Sequence, residues 1–318
     1  MLQYILKRLL LSLVTLWLLV TAVFLMVTLL PTDIARAILG NTADEAAVIN
    51  FRREFGLNDP LIQQYGRLMK SLVTFDFGVS WSTKRPVWGM ISGPLFRSAK
   101  LAGLSLLLCT PIAIGAGLLA AKFRDSVLDR VIVLVGLATS SIPEFVTAAL
   151  LAVVFGVQLG WFPSISNIPA GTSPWGQVEY LFLPAAAMAI VYFGYIARMM
   201  RAGTIRALDS DYTRTATMKG LTARRVMFGH AFRNSIAPTI TVISIQIGYL
   251  FGGIVGVELV FNYPGLSRVI LDSVNDLDLP VLQIAVIVVG GIYMITTLLA
   301  DLVIAWLNPR ARLELGNQ

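Results

Sequence analysis

The sequence is poor in cysteine, histidine and charge, and each shortage excludes a class of protein. Its single cysteine, Cys109, lies in an apolar run, so an internal disulfide is excluded. Its single histidine, His230, excludes a metal site built from several histidines. No segment fits the G-x-x-x-x-G-K-[ST] pattern of a phosphate-binding loop. The chain cannot hydrolyse ATP by that route, and we expect neither an enzymatic activity nor a cofactor in it.

Charge is scarce throughout the chain. Asp, Glu, Lys and Arg make up 14% of the 318 residues and hydrophobic residues 56%, whereas a soluble domain has about 25% charged residues. One core cannot bury that much apolar surface, so the composition predicts an integral membrane protein. The net charge of +7 fits basic loops on the cytoplasmic face of a membrane, and we do not expect nucleic-acid binding.

Six apolar runs approach or exceed the ~20 residues that a spanning helix needs. They cover residues 9–30, 101–121, 131–157, 181–200, 239–257 and 282–307. The first run is longer than the about 7–15 residues of a signal-peptide core. We therefore expect an uncleaved span there, although Ala35-Arg36-Ala37 imitates a cleavage site. The third run is interrupted around Pro143 and Glu144, where proline frees backbone carbonyls and a buried carboxylate is costly.

These runs predict an all-α integral membrane protein with six transmembrane helices and both termini inside. We divide the chain into residues 1–30 (N-terminus and first span), 31–95 (an external helical cap) and 96–318 (the remaining spans). Most of the 25 Lys and Arg residues lie in segments that this topology puts inside. In the cap, Thr42 is expected to start a helix that ends at Gly56, and an amphipathic helix follows. Residues 158–180 and 258–281 are predicted as external loops.

Residues 198–238 form the only long polar interval in the second half of the chain. The interval is rich in Lys and Arg, so the positive-inside rule puts it in the cytoplasm. The Asp-Ser-Asp cluster at 209–211 offers side-chain acceptors for the free N–H groups of a helix start. The pattern predicts a first helix from that cluster to Gly220, a natural left-handed stop, and a second from Thr222 to a closing Pro238.

Motifs spread over essentially the whole chain carry a family resemblance. The most specific is residues 211–221 (DYTRTATMKGL), followed by His230, Arg233-Asn234 and Pro238. Supporting motifs are residues 55–60 (FGLNDP) with Gln64-Tyr65, then Glu258, Phe261, Pro264-Gly265 and Asn308-Pro309-Arg310. Together they resemble the membrane subunits of bacterial ABC importers of the dipeptide/oligopeptide permease type. Residues 211–221 resemble that family's EAA loop, although Arg214 replaces the acid of the general pattern.

The resemblance implies that the loop is a coupling helix pair, seated in a cleft of a separate ATPase subunit that binds ATP and magnesium. The implied coupling residues are Asp211, Tyr212, Arg214, Thr215, Ala216, Lys219, Gly220, Leu221, His230, Arg233 and Asn234. The implied partners are a homologous second permease subunit, two ATPase subunits, an external solute-binding protein and the lipid bilayer. The implied location is a bacterial inner membrane, where movement of the loop would drive alternating access.

The solute is expected to be a di- or oligopeptide, with glutathione or a nickel chelate as alternatives for this type of subunit. Glu144, Gln246 and Glu258 are polar enough to line the path. The competing class is a secondary transporter driven by an ion gradient, in which Glu144 and Asp301 would be the ionisable groups at membrane depth. No internal repeat supports that class. A membrane-embedded hydrolase fits less well, because His230 lies in the cytoplasmic loop, away from any membrane-depth serine.

Overall fold

The protein is helical in the ranges that a computed structural model describes, which are residues 2–29, 33–40, 42–169 and 171–307. Within these ranges, extended pairing is confined to an isolated antiparallel bridge between Val79 and Pro86. The predicted all-α fold is therefore confirmed. The Asn308-Pro309-Arg310 motif lies outside the described residues.

Thirteen α-helices follow one another along the described part of the chain. They are α1 (Leu2–Thr28), α2 (Ile34–Leu39), α3 (Glu45–Glu54), α4 (Leu61–Thr74), α5 (Val87–Lys122), α6 (Val127–Ser140), α7 (Glu144–Leu151), α8 (Pro174–Leu208), α9 (Asp211–Met218), α10 (Ala223–Val226), α11 (Phe232–Val260), α12 (Leu266–Asn275) and α13 (Leu279–Leu307). Two π-helical stretches continue α7 and α10, over Ala152–Gln158 and Met227–Ala231. The 198–238 interval thus contains the two helices α9 and α10, and a pair of helices was predicted in this interval.

Among the described residues, four single helices and two bent helix pairs are long and apolar enough to cross a membrane. Among the described residues, α1, α5, α8 and α13 are each long and apolar enough to cross a bilayer. The α6–α7 pair and the two parts of the α10–α11 stretch meet the test only in combination, and the α6–α7 pair is bent by 100°. The described chain therefore carries up to six spans, the predicted number, when each bent pair counts as one.

The break between α6 and α7 lies where proline predicts it. α6 ends at Ser140, and α7 begins at Glu144 directly after Pro143. The Ser140 and Ser141 hydroxyls both donate to the Leu137 carbonyl, at 3.1 and 2.9 Å. Serine side chains therefore satisfy a carbonyl that the end of the helix leaves free, which a non-helical break between apolar segments requires.

α5 begins at Val87 and α8 at Pro174, well before the apolar runs that they contain, because hydropathy marks what enters lipid and not where a helix starts. Two other sequence predictions are wrong. In the cap, Asp44 and not Thr42 is the N-cap residue of α3. The predicted external loop at 258–281 contains the amphipathic helix α12, which is too short for a spanning signal.

Among the described residues, one compact unit comprises residues 2–12, 99–263 and 292–307. Buried side chains of α5, α7, α8 and α11 form its core, among them Leu101, Ala113, Ala148, Met188, Tyr192, Ile196 and Leu250. In this unit α6 and α8 cross with their backbones in contact. A Cβ built on Gly194 would lie 1.9 Å from the Gly136 carbonyl oxygen, so the crossing requires glycine at position 194.

The other compact unit comprises Leu13–Ser98 and Pro264–Gly291. Its larger core is made of buried apolar side chains, including Val20, Phe24, Leu68, Ile91, Leu266 and Ile284. A smaller cluster joins α2 and α3 through Ala35, Val48 and Phe51, with Trp81 packed against it. The segment predicted as an external cap therefore has apolar packing of its own within this unit.

The motif at residues 55–60 is a turn held by α4. Gly56 has a φ of +62°, a backbone conformation that favours glycine, and a Cβ there would displace the ends of the Asp59 and Arg67 side chains. Arg67 donates to the Asp59 carboxylate at 2.5 Å and to the Gly56 carbonyl at 3.0 Å. The Gln64 amide donates to the Asp59 carbonyl at 2.8 Å. The motif residues thus shape the turn, and the predicted end of α3 near Gly56 is confirmed.

A buried carboxylate fastens the bridged loop Val79–Pro86 to the start of α13. Asp278 is 2% exposed and accepts hydrogen bonds from the Ser80 hydroxyl at 2.5 Å and the Ser82 hydroxyl at 2.9 Å. The backbone N–H of Trp81 donates to the other carboxylate oxygen at 3.0 Å. Three donors converge on one acceptor group, so the polar atoms of this buried side chain have hydrogen-bond partners.

Candidate functional site

Two hydroxyl groups set α9 against the end of α8. α8 ends at Leu208, and α9 begins at Asp211 with Ser210 as its N-cap residue. The predicted capping bond is wrong, because the Ser210 hydroxyl donates to the Ala207 carbonyl at 2.5 Å instead of accepting from a helix N–H. The Thr213 hydroxyl donates to the same carbonyl at 2.7 Å. One carbonyl with two hydroxyl donors therefore ties the first turn of α9 to the last turn of α8.

α9 buries one face and leaves the other open. Thr213 and Ala216, one helical turn apart, are 4% and 6% exposed. The remaining side chains of the helix are exposed, and these are Asp211, Tyr212, Arg214, Thr215, Thr217 and Met218. Ala216 therefore packs within the chain, whereas its polar neighbours and Met218 are free to contact another protein.

A left-handed turn ends α9, as predicted. Gly220 has a φ of +80°, and its N–H donates to the Thr217 carbonyl at 2.9 Å. The N–H of Leu221 reaches back to the Ala216 carbonyl at 3.3 Å. This pair of bonds is a Schellman motif, which requires a left-handed residue at the position of Gly220. A Cβ on Gly220 would meet nothing within 4 Å, so only the backbone conformation, and not crowding, demands glycine.

α10 and the π-helical stretch after it form the second half of the site. The Thr222 hydroxyl accepts from the Arg225 N–H at 3.4 Å and so caps α10. Val226 and Met227 are buried, which seats α10 on the rest of the chain. On the outside lies an open groove of ≈ 590 Å³, lined by Thr222, Arg224, Arg225, Phe228 and Gly229. The groove combines two guanidinium groups with a phenyl ring that is 57% exposed.

The second helix of the interval does not end at Pro238, contrary to the prediction. Pro238 lies inside α11, where it removes the hydrogen bond to the Asn234 carbonyl. Helices within membrane proteins tolerate such a loss because neighbouring groups satisfy the freed carbonyl. Near the start of α11, Arg233 and Asn234 are exposed, and the Asn234 amide donates to the carbonyl of the half-buried His230 at 3.1 Å. These three residues therefore lie on a helix that runs on into the apolar part of the chain.

Small residues hold the two ends of the interval together. Thr204 on α8 and Ser235 on α11 are buried, and their hydroxyl oxygens are 3.2 Å apart. A Cβ on Gly203 would lie 3.1 Å from Ser235 Cβ. The Ser235 hydroxyl also donates to the Ala231 carbonyl at 2.9 Å. The helix that leads into the site and the helix that leaves it are thus in direct contact.

The residues predicted to line the path are spread over two helices. Glu144, in the first turn of α7, is half-buried and accepts a hydrogen bond from the Tyr192 hydroxyl at 3.3 Å. Gln246 and Glu258 lie on α11 and are 4% and 1% exposed. Within the described ranges, no group of three or more His, Cys, Asp or Glu side chains is arranged to hold a metal ion.

Sequence reasoning missed a charged pair beside the site. Arg201 on α8 donates from Nε and Nη2 to the two carboxylate oxygens of Asp129 on α6, at 2.5 and 2.6 Å. The sequence does contain a signal for it, because both residues flank apolar runs and charges at such positions are expected to pair. Their separation along the chain, however, left the partner unidentified.

Known protein families and individual relatives match this chain over almost its entire length. The model of the family described as "binding-protein-dependent transport system inner membrane component" matches residues 113–313, and a model of the N-terminal part of such components matches residues 1–102. A probable peptide ABC transporter permease of Sinorhizobium fredii is 34% identical over 311 residues, covering 97% of this chain and 99% of the relative.

Two further relatives show the same full-length similarity. A putative peptide transport system permease of Brucella abortus is 36% identical over 291 residues, covering 92% of this chain and 93% of the relative. A glutathione transport system permease of Escherichia coli K12 is 34% identical over 312 residues, covering 98% and 99%. The names of these relatives concern peptide and glutathione transport.

Proposed function

The chain belongs to the family of binding-protein-dependent transport system inner membrane components and is a permease subunit of an ABC importer, and on that premise we propose that it forms half of the translocation path for short peptides. Relatives named for peptide transport support this substrate class. A relative named for glutathione transport supports the alternative, and glutathione is itself a tripeptide. Both candidates share amide groups and charged ends, so one path of modest specificity would serve either.

We assign ATP hydrolysis to separate ATPase subunits. The sequence has no phosphate-binding loop of the G-x-x-x-x-G-K-[ST] type, so the energy must arrive through a protein contact. The surface formed by α9 and α10 is suited to that contact, because it is exposed, basic and fixed at both ends. The single observation that carries the proposal is this anchored, outward-facing helix pair joined by the left-handed turn at Gly220.

Within the site we propose two roles for the coupling residues. The exposed side chains would contact the ATPase subunit, and these are Asp211, Tyr212, Arg214, Thr215, Lys219, Arg233 and Asn234. The buried Ala216 and the partly buried Leu221 and His230 would instead keep the helix pair seated on the chain. Gly220 would set the angle between the two helices. The basic groove around Phe228 would receive an acidic or apolar group of the partner.

We propose that the interval 198–238 faces the cytoplasm and that the chain lies in a bacterial inner membrane. The Arg8–Asp301 ion pair, at 3.2 Å, joins the first turns of α1 to the last turns of α13. This contact supports a topology in which both ends of the chain lie on one side, as six spans require. The further partners would be a homologous permease subunit, two ATPase subunits and an external solute-binding protein.

Reconstitution tests the function directly. The permease would be assembled in proteoliposomes with the second permease and the ATPase subunits, and uptake of labelled dialanine and of glutathione would be measured with and without ATP and the binding protein. We expect accumulation only when all components and ATP are present. Uptake by the permease alone, driven by a proton or sodium gradient, would identify a secondary transporter and contradict the proposal.

A further inference from the structure

The ion pair between the buried Asp129 and the half-buried Arg201 has a geometry that fixes two helices relative to each other. The Asp129 side chain is 3% exposed and the Arg201 side chain 26%. Nε and Nη2 of the guanidinium each donate to a different carboxylate oxygen, at 2.5 and 2.6 Å. The backbone N–H of Asp125 donates to Oδ2 at 2.9 Å. Two parallel bonds between planar groups restrict rotation as well as distance.

Stability alone does not explain such a pair. Removing two charges from water carries a desolvation cost that their attraction often only balances, and apolar replacements are often neutral or stabilising. A bidentate pair with one buried partner is better explained by the orientation it imposes. The orientation here concerns the start of α6 and the last part of α8.

The pair lies directly upstream of the coupling surface. Asp129 is in the first turn of α6, where its N–H is capped by the Ser126 hydroxyl at 3.3 Å. Arg201 precedes the end of α8 at Leu208 by about two helical turns. α9 is attached to the end of α8 by the hydrogen bonds that the Ser210 and Thr213 hydroxyls donate to the Ala207 carbonyl. A rigid path therefore runs from α9 through the end of α8 to α6.

A third helix joins the same block. α5 approaches α8 closely, since a Cβ on Gly117 would lie 2.6 Å from the Ala197 carbonyl oxygen. The turn between α5 and α6 contains Arg124, which pairs with Asp209 at 3.1 Å. That second pair joins the same two regions but is solvent-exposed, with 51% and 64% of the two side chains accessible, so it contributes little.

We infer that Asp129 and Arg201 are positioning residues that make the inner ends of α6 and α8 move with α9 as one body. The inference rests on the proposed function, in which α9 receives the movement of the ATPase subunit. It extends the coupling machinery beyond the interval 198–238 to Asp129 in the first turn of α6. Without the pair, α9 would still bind the ATPase subunit, but its movement would reach α6 only in part.

The test uses the assembled importer in proteoliposomes, with Asp129→Asn and Arg201→Lys as separate variants. Asp129→Asn keeps the shape and removes the charge, while Arg201→Lys keeps the charge and removes the two-pronged geometry. Arg124→Gln breaks the exposed pair and is the matched control. We measure dialanine imported per ATP hydrolysed and, in a Cys109→Ala background, the distance distribution between nitroxides at Leu128→Cys and Met218→Cys.

For both variants we expect about a tenfold fall in dialanine imported per ATP, within the range of ordinary coupling energies, and a broadened distance distribution. The Arg124→Gln control should match the wild type in both measurements. A purely structural role would lower the amount of assembled importer but leave the import ratio of the remainder unchanged. A wild-type ratio with a narrow distribution in either variant would overturn the inference. An absence of ATP-dependent uptake by the wild type would instead refute the proposed function.

Discussion

Replacing Gly220 by a residue with a Cβ tests whether the left-handed turn after α9 is needed for coupling. The left-handed φ of +80° is the only obstacle to a side chain, because a Cβ would meet nothing within 4 Å. Valine at this position must either adopt a conformation that costs an L-residue about 1–2 kcal/mol or release the turn. Asparagine tolerates the left-handed region and is the matched control.

This conformational free energy determines what fraction of the Gly220→Val molecules keeps the left-handed turn. A difference of about 1–2 kcal/mol changes an equilibrium by a factor of about 5–30. We therefore expect Gly220→Val to lower ATP-driven uptake by about 5- to 30-fold, while Gly220→Asn stays within about twofold of the wild type. The bonds at stake are those from Gly220 and Leu221 to the carbonyls of Thr217 and Ala216.

Uptake must be measured beside insertion and assembly. Membrane-extracted protein, quantified by immunoblot, should be equal for the wild type, Gly220→Val and Gly220→Asn, because the turn lies outside the apolar runs. Recovery of the ATPase subunit with the affinity-tagged permease should fall only for valine. Wild-type uptake by Gly220→Val, or an equal loss with asparagine, would refute the role given to the left-handed turn.

Three further outcomes follow from other parts of the structure. Asp278→Ala leaves three donors without their carboxylate and should destabilise the protein by about 1–3 kcal/mol or more, seen as a lower thermal midpoint in detergent; an unchanged midpoint would contradict the contact. Gly194→Ala, whose new methyl would collide with the facing backbone of α6, should abolish stable expression, while Gly115→Ala, with open space around it, should express normally. In a cysteine-free background, a thiol at Ile62 should react with an impermeant reagent in intact cells and one at Met218 only after lysis, although both side chains are about equally exposed, at 75% and 77%. The reverse pattern of labelling would overturn the proposed topology.

Some local features of the fold followed directly from residue chemistry. Pro143 cannot continue a helix, and the break between α6 and α7 lies beside it. Gly220 and Gly56 were identified as helix stops, and both have positive φ. In these cases the residue itself restricts the backbone, so no knowledge of distant parts of the chain was needed.

Features that depend on tertiary contacts did not follow from the sequence. The cluster at 209–211 was expected to accept from helix N–H groups, but its N-cap residue Ser210 makes no such bond and donates to the Ala207 carbonyl. Pro238 was expected to end a helix that in fact continues. The Asp129–Arg201 pair joins residues far apart in the chain, and no periodic pattern reports such pairing. The sequence thus predicted that the candidate surface is a helix pair, but it did not predict how that pair contacts the rest of the chain.

The glycine crossing of α6 and α8 has a mechanical consequence. Where helices interlock through large side chains, ridges resist turning as well as sliding. At Gly136 and Gly194 the two backbones touch, with no Cβ on either residue to separate them. Such a point acts as a pivot: the helices stay together there, yet the crossing itself does little to set their angle. The angle between the helices must then be set by contacts elsewhere along them. The Asp129–Arg201 ion pair joins the same two helices and can set it.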